Sequence, residues 1–95
     1  MPNPEDVNPK NFKVKQVIFN NGDFSIAYGE WKEDVSCLGM RWNGSKDDVG
    51  YPKLFNNPVW FILPEELTVP LALSLFGKEQ ANAENILAVL QKITT

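Results

Sequence analysis

The fold is decided by residues 35–67, VSCLGMRWNGSKDDVGYPKLFNNPVWFILPEEL. The stretch begins and ends in apolar runs that are typical of β-strands, and a polar segment rich in Gly, Asn and Pro joins them. Alternation in the first run puts its large apolar side chains on one face: Leu38, Met40 and Trp42. The other face carries smaller residues and one cation: Cys37, Gly39 and Arg41. We expect the rest of the chain to pair with this stretch or to cover it.

Two further strands precede this stretch and form a predicted hairpin. Residues 12–19, FKVKQVIF, and residues 24–31, FSIAYGEW, both alternate, and Asn21-Gly22 lies between them. Asn and Gly both tolerate the positive φ of a tight hairpin turn. On the first strand, one face carries Phe12, Val14 and Ile18, and the other carries Lys13, Lys15, Val17 and Phe19. On the second, three residues are expected to extend the apolar face of the third strand: Phe24, Ile26 and Tyr28.

The opposite face of this sheet is predicted to be unusual, because its central residues are small: Ser25, Ala27, Gly29, Cys37 and Gly39. Small side chains let another group approach the backbone closely. The group that fills this face could be a second subunit, a ligand or the N-terminal segment, and the sequence leaves the three open.

Downstream, residues 59–63, VWFIL, predict a fourth strand, and apolar character on both sides predicts a central, buried position. A turn at residues 64–67 is expected to lead to a helix over 69–76, with Thr68 as its cap and Gly77 at its end. Asn82 caps the last helix, whose apolar stripe is Ile86, Val89, Leu90 and Ile93. These patterns predict an α+β fold: a four-stranded, mainly antiparallel sheet (a β-meander) followed by two C-terminal helices packed on one face.

Two segments lie outside the regular elements. Residues 1–11, with three prolines and three asparagines, predict a flexible N-terminal arm, and residues 12–95 a single α+β domain. Residues 43–58 form a long irregular segment of the kind that is often functional. Three apolar residues are expected to anchor it to the domain: Tyr51, Leu54 and Phe55.

Composition excludes several kinds of chemistry. The 95 residues contain no histidine, so no Ser-His-Asp or Cys-His nucleophile pair and no His-ligated metal can form within the chain. Cys37 is the single cysteine, which fits a reducing, cytoplasmic location, and its apolar neighbours predict a buried thiol. The adjacent acids in the chain lack the spacing of a catalytic pair or of a cation site. We expect no enzyme, no metal and no cofactor, and no run is long enough to span a membrane.

The aromatic content points to an interface. Phe, Trp and Tyr make up 12% of the chain, which is generous for so small a core. Together with the small-residue sheet face, this predicts a homodimer. The net charge of −3 has the wrong sign for a general nucleic-acid binder, although a local basic patch is compatible with it.

One set of residues has the composition of a binding face for single-stranded nucleic acid or another ligand: Lys13, Lys15, Trp31, Arg41, Tyr51 and Phe55. Cations interleaved with aromatic rings suit a single strand, because cations meet phosphates and rings stack on bases. The alternative is that these cations are solvated at a sheet edge and that the tryptophan belongs to the core.

The order of four strands and a helix adds a resemblance. With Arg41-Trp42 ending the third strand and residues 62–67, ILPEEL, leading into the helix, residues 17–76 resemble the positive-cofactor-four family of single-strand-binding coactivators. The resemblance implies curved sheets that bind DNA and helices that pair two subunits. The low basic content and the long segment at residues 43–58 depart from that family's pattern.

Three functions from different classes follow. The first is a non-enzymatic interaction or accessory protein of bacterial type, for instance an immunity or mobile-element protein, that acts on an unknown protein partner. The second is a binder of single-stranded nucleic acid. The third is a small-ligand domain in which the segment at residues 43–58 covers a pocket lined by Trp42, Tyr51 and Trp60.

Overall fold

A computed structural model describes residues 2–33 and 35–94. Met1, Asp34 and Thr95, which include the ends of the predicted arm and domain, lie outside these ranges. The strands are β1 (Phe12–Asn20), β2 (Phe24–Trp31), β3 (Val35–Trp42), β4 (Lys53–Leu54), β5 (Asn57–Pro58) and β6 (Phe61–Ile62), and the helices are α1 (Thr68–Ser74) and α2 (Ala83–Thr94). Short 3-10 helices occupy Pro4–Asp6 and Glu65–Leu67. No helix in the described ranges is long and apolar enough to cross a membrane.

The main sheet has four antiparallel strands in the order β1-β2-β3-β6 and confirms the predicted α+β class. The β1–β2 turn is built as expected. Gly22 has a φ of +94°, and the Asn21 side-chain oxygen accepts hydrogen bonds from the backbone amides of Asp23 and Phe24 at 2.9 and 2.8 Å. An amide oxygen that serves its own turn fixes the chain reversal locally.

The predicted apolar face is continuous between β2 and β3. Tyr28 pairs with Leu38, and Ile26 pairs with Met40. Both helices cover this face, since Ala72 of α1 and Val89 of α2 are buried in the same cluster. The burial of large apolar side chains between a sheet and two helices is the main source of stability in a domain of this size.

The N-terminus of α2 is capped as the sequence predicts. The Asn82 side-chain oxygen accepts the Asn85 amide at 3.0 Å, and the Ile86 amide donates to the Asn82 carbonyl at 2.9 Å. The same turn is joined to the edge of β1, because the Asn82 amide donates to the Ile18 carbonyl at 2.8 Å. The turn before α2 therefore pairs with the last residues of the free edge of β1, while the helix covers the face of the sheet.

The small-residue face of the sheet is filled from within the chain. Trp60 lies over it and tilts against Phe12, with 5.8 Å between ring centres. A side chain on Gly39 would place its Cβ 3.1 Å from the Cβ of Trp60, which explains why this position is small. The Trp60 indole donates to the Val7 carbonyl at 2.7 Å, and Val7 is buried. Residues of the predicted N-terminal arm thus contact the sheet, while the expected flexibility of residues 1–11 stays a prediction.

Two predictions about the strands are wrong. The pairing of β1 with β2 shifts register twice, between Val14 and Gln16 and again before Phe19, so strict alternation fails. Val17 consequently joins Phe12 and Val14 in the cluster that contains Trp60, while Ile18 joins the core under the helices, so the predicted grouping of Phe12, Val14 and Ile18 on one face is wrong. The fourth strand is likewise a short edge strand instead of a central one, since β6 has two residues and pairs with β3 alone.

The first helix also differs in detail. It begins at Thr68 and follows directly on the 3-10 helix, so Thr68 is its first residue and no side-chain cap precedes it. The 3-10 helix leads into α1 without a capping side chain, because the backbone hydrogen bonds of the 3-10 helix continue into α1.

Candidate interaction surface

Arg41 organises the segment between β3 and β6. Its side chain is only 1% exposed, and its guanidinium donates to the carbonyls of Val49, Val59 at 2.6 Å and Pro52 at 3.3 Å. Across residues 2–33 and 35–94, no carboxylate lies within ion-pair distance of it. Burial lowers the pKa of the guanidinium from its ordinary value. A buried cation satisfied by backbone carbonyls ties three points of an irregular segment to one strand.

A second set of hydrogen bonds, made by Asn43, fixes the start of the same segment. The Asn43 side chain accepts from the Ser25 hydroxyl at 2.6 Å and donates to the Asn20 side-chain oxygen at 3.0 Å. The Asn43 amide donates to the Asp23 carbonyl at 2.7 Å. Because these bonds and those of Arg41 hold the backbone, the segment keeps a defined path without apolar anchors.

The three residues expected to anchor the segment are exposed, so that prediction is wrong. Tyr51 is 66% exposed, Leu54 61% and Phe55 91%. Leu54 and Phe55 lie on a small hairpin, in which β4 pairs with β5 and Phe55 and Asn56 form the turn. Polar hydrogen bonds to the backbone replace apolar anchoring here, and apolar periodicity cannot signal that kind of attachment.

The hairpin turn is unfavourable for the residue at its tip. Phe55 and Asn56 have φ values of +50° and +64°, the conformation of a type I′ turn that Asn and Gly prefer. A bulky side chain in this region costs roughly 1–2 kcal/mol. Because the Phe55 ring is also almost fully in water, it contributes nothing to the stability of the single chain that would offset this cost.

A concave aromatic surface lies on the helix-covered face of the sheet, at the end that the helices leave open. We call it the aromatic cup, and its cavity of about 270 Å³ is lined by Phe24, Met40, Arg41, Trp42, Tyr51, Pro52 and Phe61. Trp42 and Phe24 meet edge to face with ring centres 4.7 Å apart. Trp42 is 56% exposed and Phe61 60% exposed. The polar groups of Arg41 point to the other face of the sheet, so side chains of apolar or aromatic character form the cup.

Strand pairing explains how the cup is assembled. Trp42 pairs with Phe24 on β2 and forms a bridge with Tyr51 on its other side. Met40 pairs with Phe61 in the same way. Directly paired residues of antiparallel strands point to the same face, so these five side chains converge. The result is an apolar patch of a few hundred Å², the size at which an exposed patch on a monomer is often functional.

The six predicted site residues do not form one site. Tyr51 lies on the rim of the aromatic cup and Phe55 on the hairpin tip, while Arg41 is buried. The Lys15 ammonium is paired with the Glu30 carboxylate at 3.0 Å. The remaining two residues, Lys13 and Trp31, lie on the edge strand and its neighbour.

The proposed stacking ring on β2 is also occupied. The Lys32 ammonium lies 4.5 Å from the centre of the Trp31 ring, and the ring packs partly against the core. A cation over a ring is itself a favourable contact, which a stacked base would have to displace. Lys13 and Lys15 line a shallow concavity together with Glu30 and Glu33, so both signs of charge are present there.

The tryptophans predicted to share a ligand pocket are separated by the sheet. Trp42 and Tyr51 line the aromatic cup, whereas Trp60 is buried on the opposite face. Other grooves are larger than the cup: one of about 390 Å³ lies between the N-terminal segment and the β4–β5 hairpin, and two carry charged side chains. One of about 510 Å³ between sheet and helices contains Glu65, Glu66 and Lys92, and one of about 870 Å³ at the β1 edge contains Glu79 and Glu84.

Cys37 is buried, and the pKa of its thiol is raised by burial and then by the negative charge of Glu65. A thiol that resists ionisation is a poor nucleophile. This side chain therefore behaves as a small apolar residue of the core.

Sequence reasoning missed the aromatic cup as a unit, although Trp42 and Tyr51 were both singled out. The available signal was the predicted apolar face of β2 and β3, at whose end Trp42 lies outside the cluster that the helices cover. Comparison with protein families, with curated protein sequences and with solved structures found no match for the chain. The resemblance to single-strand-binding coactivators accordingly stays a prediction.

Proposed function

We propose that the chain is a non-enzymatic interaction protein that acts through the aromatic cup on a protein partner. The observation that carries this proposal is the convergence of Phe24, Trp42, Tyr51 and Phe61 in one exposed apolar concavity. Exposed aromatic residues around a pocket are typical of the energetic centre of protein interfaces. A cytoplasmic homodimer is part of the same proposal, supported by the single buried thiol and by the apolar area left in water.

The proposal is tested by affinity capture from a nuclease-treated lysate with three baits. They are the wild-type chain, the cup variant Phe61→Thr and the control variant Leu87→Ser. Thr suits the exposed strand position of Phe61, and Leu87 is an exposed apolar residue of α2 that lies outside the cup. Nuclease treatment removes proteins that are captured through nucleic acid.

We expect a discrete set of proteins to be retained by the wild-type and control baits and lost with Phe61→Thr. Loss of one central aromatic residue commonly weakens an interface by about 30-fold or more. Identical recovery with all three baits, or recovery of nothing beyond the empty resin, would contradict the proposal.

A second candidate, binding of single-stranded nucleic acid, is favoured by one observation, which is that Lys13 and Lys10 lie in the same concavity as Lys15. The protein-binding proposal is preferred because the cup needs no displacement of existing ion pairs or ring contacts.

A further inference from the structure

Two apolar features stand close together along the chain, one concave and the other projecting into water. One is the aromatic cup, and the other is the tip of the β4–β5 hairpin with the side chains of Leu54 and Phe55. The hairpin begins at Lys53, directly after cup residue Pro52. A projecting ring and an apolar concavity on the same chain are the two halves of a self-complementary interface.

We propose that a second copy of this chain occupies the cup, with Phe55 of each copy inserted into the aromatic cup of the other. This inference rests on the proposed function and names the first occupant of the same site. A twofold arrangement makes the contact twice and closes the assembly at a dimer.

The volume of the cup suits this occupant. A cavity of about 150 Å³ is sufficient to hold benzene, and the aromatic cup measures about 270 Å³. The cup therefore accepts the ring of Phe55 and leaves room for part of Leu54. Rings that meet the walls edge to face would repeat the geometry already present between Phe24 and Trp42.

The exposed area also favours reciprocal contact. With roughly 200 Å² for each large aromatic side chain, the exposed parts of Trp42, Tyr51 and Phe61 leave about 350–400 Å² in water. Leu54 and Phe55 add roughly 250–300 Å². Either feature alone is too small for a stable interface, but both together in two copies reach about 1,200–1,400 Å², the lower part of the range for specific complexes.

The charges beside the two features are of opposite sign. Lys53 is exposed at the base of the hairpin, and the loop that joins Trp42 to Tyr51 carries two exposed acids, Asp47 and Asp48, against one exposed cation, Lys46. Reciprocal insertion brings the hairpin of one copy to the rim of the other, so attraction assists the apolar contact.

The proposed dimer explains why Phe55 occupies the strained tip of the hairpin. An Asn at position 55 would suit the turn better than Phe, and the ring does not help the single chain to fold. Insertion into a second copy gives the ring a buried environment. It also covers the cup until another protein displaces the second copy.

The test uses sedimentation equilibrium of the full chain at micromolar to tens of micromolar concentration. The variant Phe55→Asn removes the ring and keeps a favourable turn, and Phe61→Thr damages the cup. Leu87→Ser is the control on the far face of α2. We expect wild type and control to dimerise, and each of the two other variants to associate about 1,000-fold more weakly, about 30-fold for each lost contact.

Mixing the two damaged variants is the decisive arm. Phe55→Asn retains an intact cup and Phe61→Thr retains an intact ring, so the mixture restores one of the two contacts. We expect a mixed dimer that is about 30-fold weaker than wild type. A wild-type monomer at the highest concentration, dimers that survive Phe55→Asn, or a mixture that stays monomeric would overturn the inference.

Failure of this inference is distinguishable from failure of the proposed function. Phe55→Asn leaves the cup open, so as a bait in the lysate experiment it should capture the partner at least as well as wild type. Phe61→Thr should lose the partner whether or not the chain dimerises. A monomeric wild type whose partner is lost with Phe61→Thr would therefore refute the second copy and support another protein as the occupant.

Discussion

Replacing Arg41 by Met should destabilise the domain strongly, because it removes the hydrogen bonds that hold the segment between β3 and β6. The bonds to the Val49 and Val59 carbonyls come from a cation, and such bonds contribute about 1.5–3 kcal/mol each. The contact with Pro52 at 3.3 Å is long and adds little. Removing the guanidinium from water costs several kcal/mol, and the substitution relieves part of this desolvation cost. We therefore expect a net loss of about 2–4 kcal/mol.

A loss of this size is a large part of the free energy of unfolding of the domain. A domain of 95 residues has a free energy of unfolding of about 5–14 kcal/mol. At about 4–8 °C per kcal/mol, Arg41→Met should lower Tm by roughly 8–30 °C. Arg41→Lys should lose nearly as much, because one ammonium cannot reach three carbonyls that face a planar guanidinium.

Urea unfolding followed by tryptophan fluorescence measures the effect, with Lys53→Met as the control that removes an exposed cation from the same segment. The control should stay within about 0.5 kcal/mol of wild type. Hydrogen exchange should show faster exchange at residues 49–60 in Arg41→Met. If Arg41→Met unfolds at the same urea concentration as the control, the guanidinium is not the buried tie that the structure shows, and the reasoning is refuted.

Three further predictions concern other parts of the molecule. Asn82→Ala should cost about 1 kcal/mol in urea unfolding through loss of the α2 cap, and an unchanged midpoint would contradict the cap. The pKa of the Cys37 thiol is raised in the folded state, so its contribution to stability is complete below the ordinary value of 9.0 and is lost as pH rises from there towards the folded-state pKa. The free energy of unfolding should therefore fall more steeply above pH 9.0 in wild type than in Cys37→Ala. Parallel curves would contradict the burial of the thiol. In anisotropy titrations with labelled single-stranded DNA and RNA at moderate salt, we expect no saturable binding, because Lys15 and Trp31 already have partners; salt-sensitive binding that Lys13→Ala abolishes would establish the second candidate function.

The fold could be predicted from the sequence where local patterns and tertiary packing agree. The Asn21-Gly22 turn, the paired faces of β2 and β3 and the Asn82 cap all rest on short-range chemistry that any context would preserve. The faces of β1 could not be predicted beyond Gln16. Register shifts depend on the pairing with β2, and they leave no mark in the alternation of β1 itself.

The candidate site was harder to predict from the sequence, for a related reason. Arg41 looks like a surface cation in a linear pattern, since nothing local reveals that carbonyls 8, 11 and 18 residues away will surround it. Once it is buried, the aromatic residues that seemed to anchor the loop are free to face water. Because Arg41 resembles a surface cation in the sequence, neither its buried hydrogen bonds nor the exposed aromatic surface could be predicted.

Arg41 also links the stability of the domain to the proposed dimer. Its guanidinium binds the carbonyls of Pro52 and Val59, which flank the β4–β5 hairpin, and Pro52 is itself part of the aromatic cup. The Val59 amide donates to the Pro52 carbonyl at 3.1 Å and closes the hairpin base at the same place. The base of the Phe55 hairpin and the Pro52 side of the cup are thus held by the same buried cation, whose guanidinium lies on the opposite face of the sheet. Because Arg41 holds the hairpin base next to a cup that strand pairing assembles, the two copies of a reciprocal dimer would present ring and cup at a fixed separation, which is the preorganisation that a small apolar interface requires.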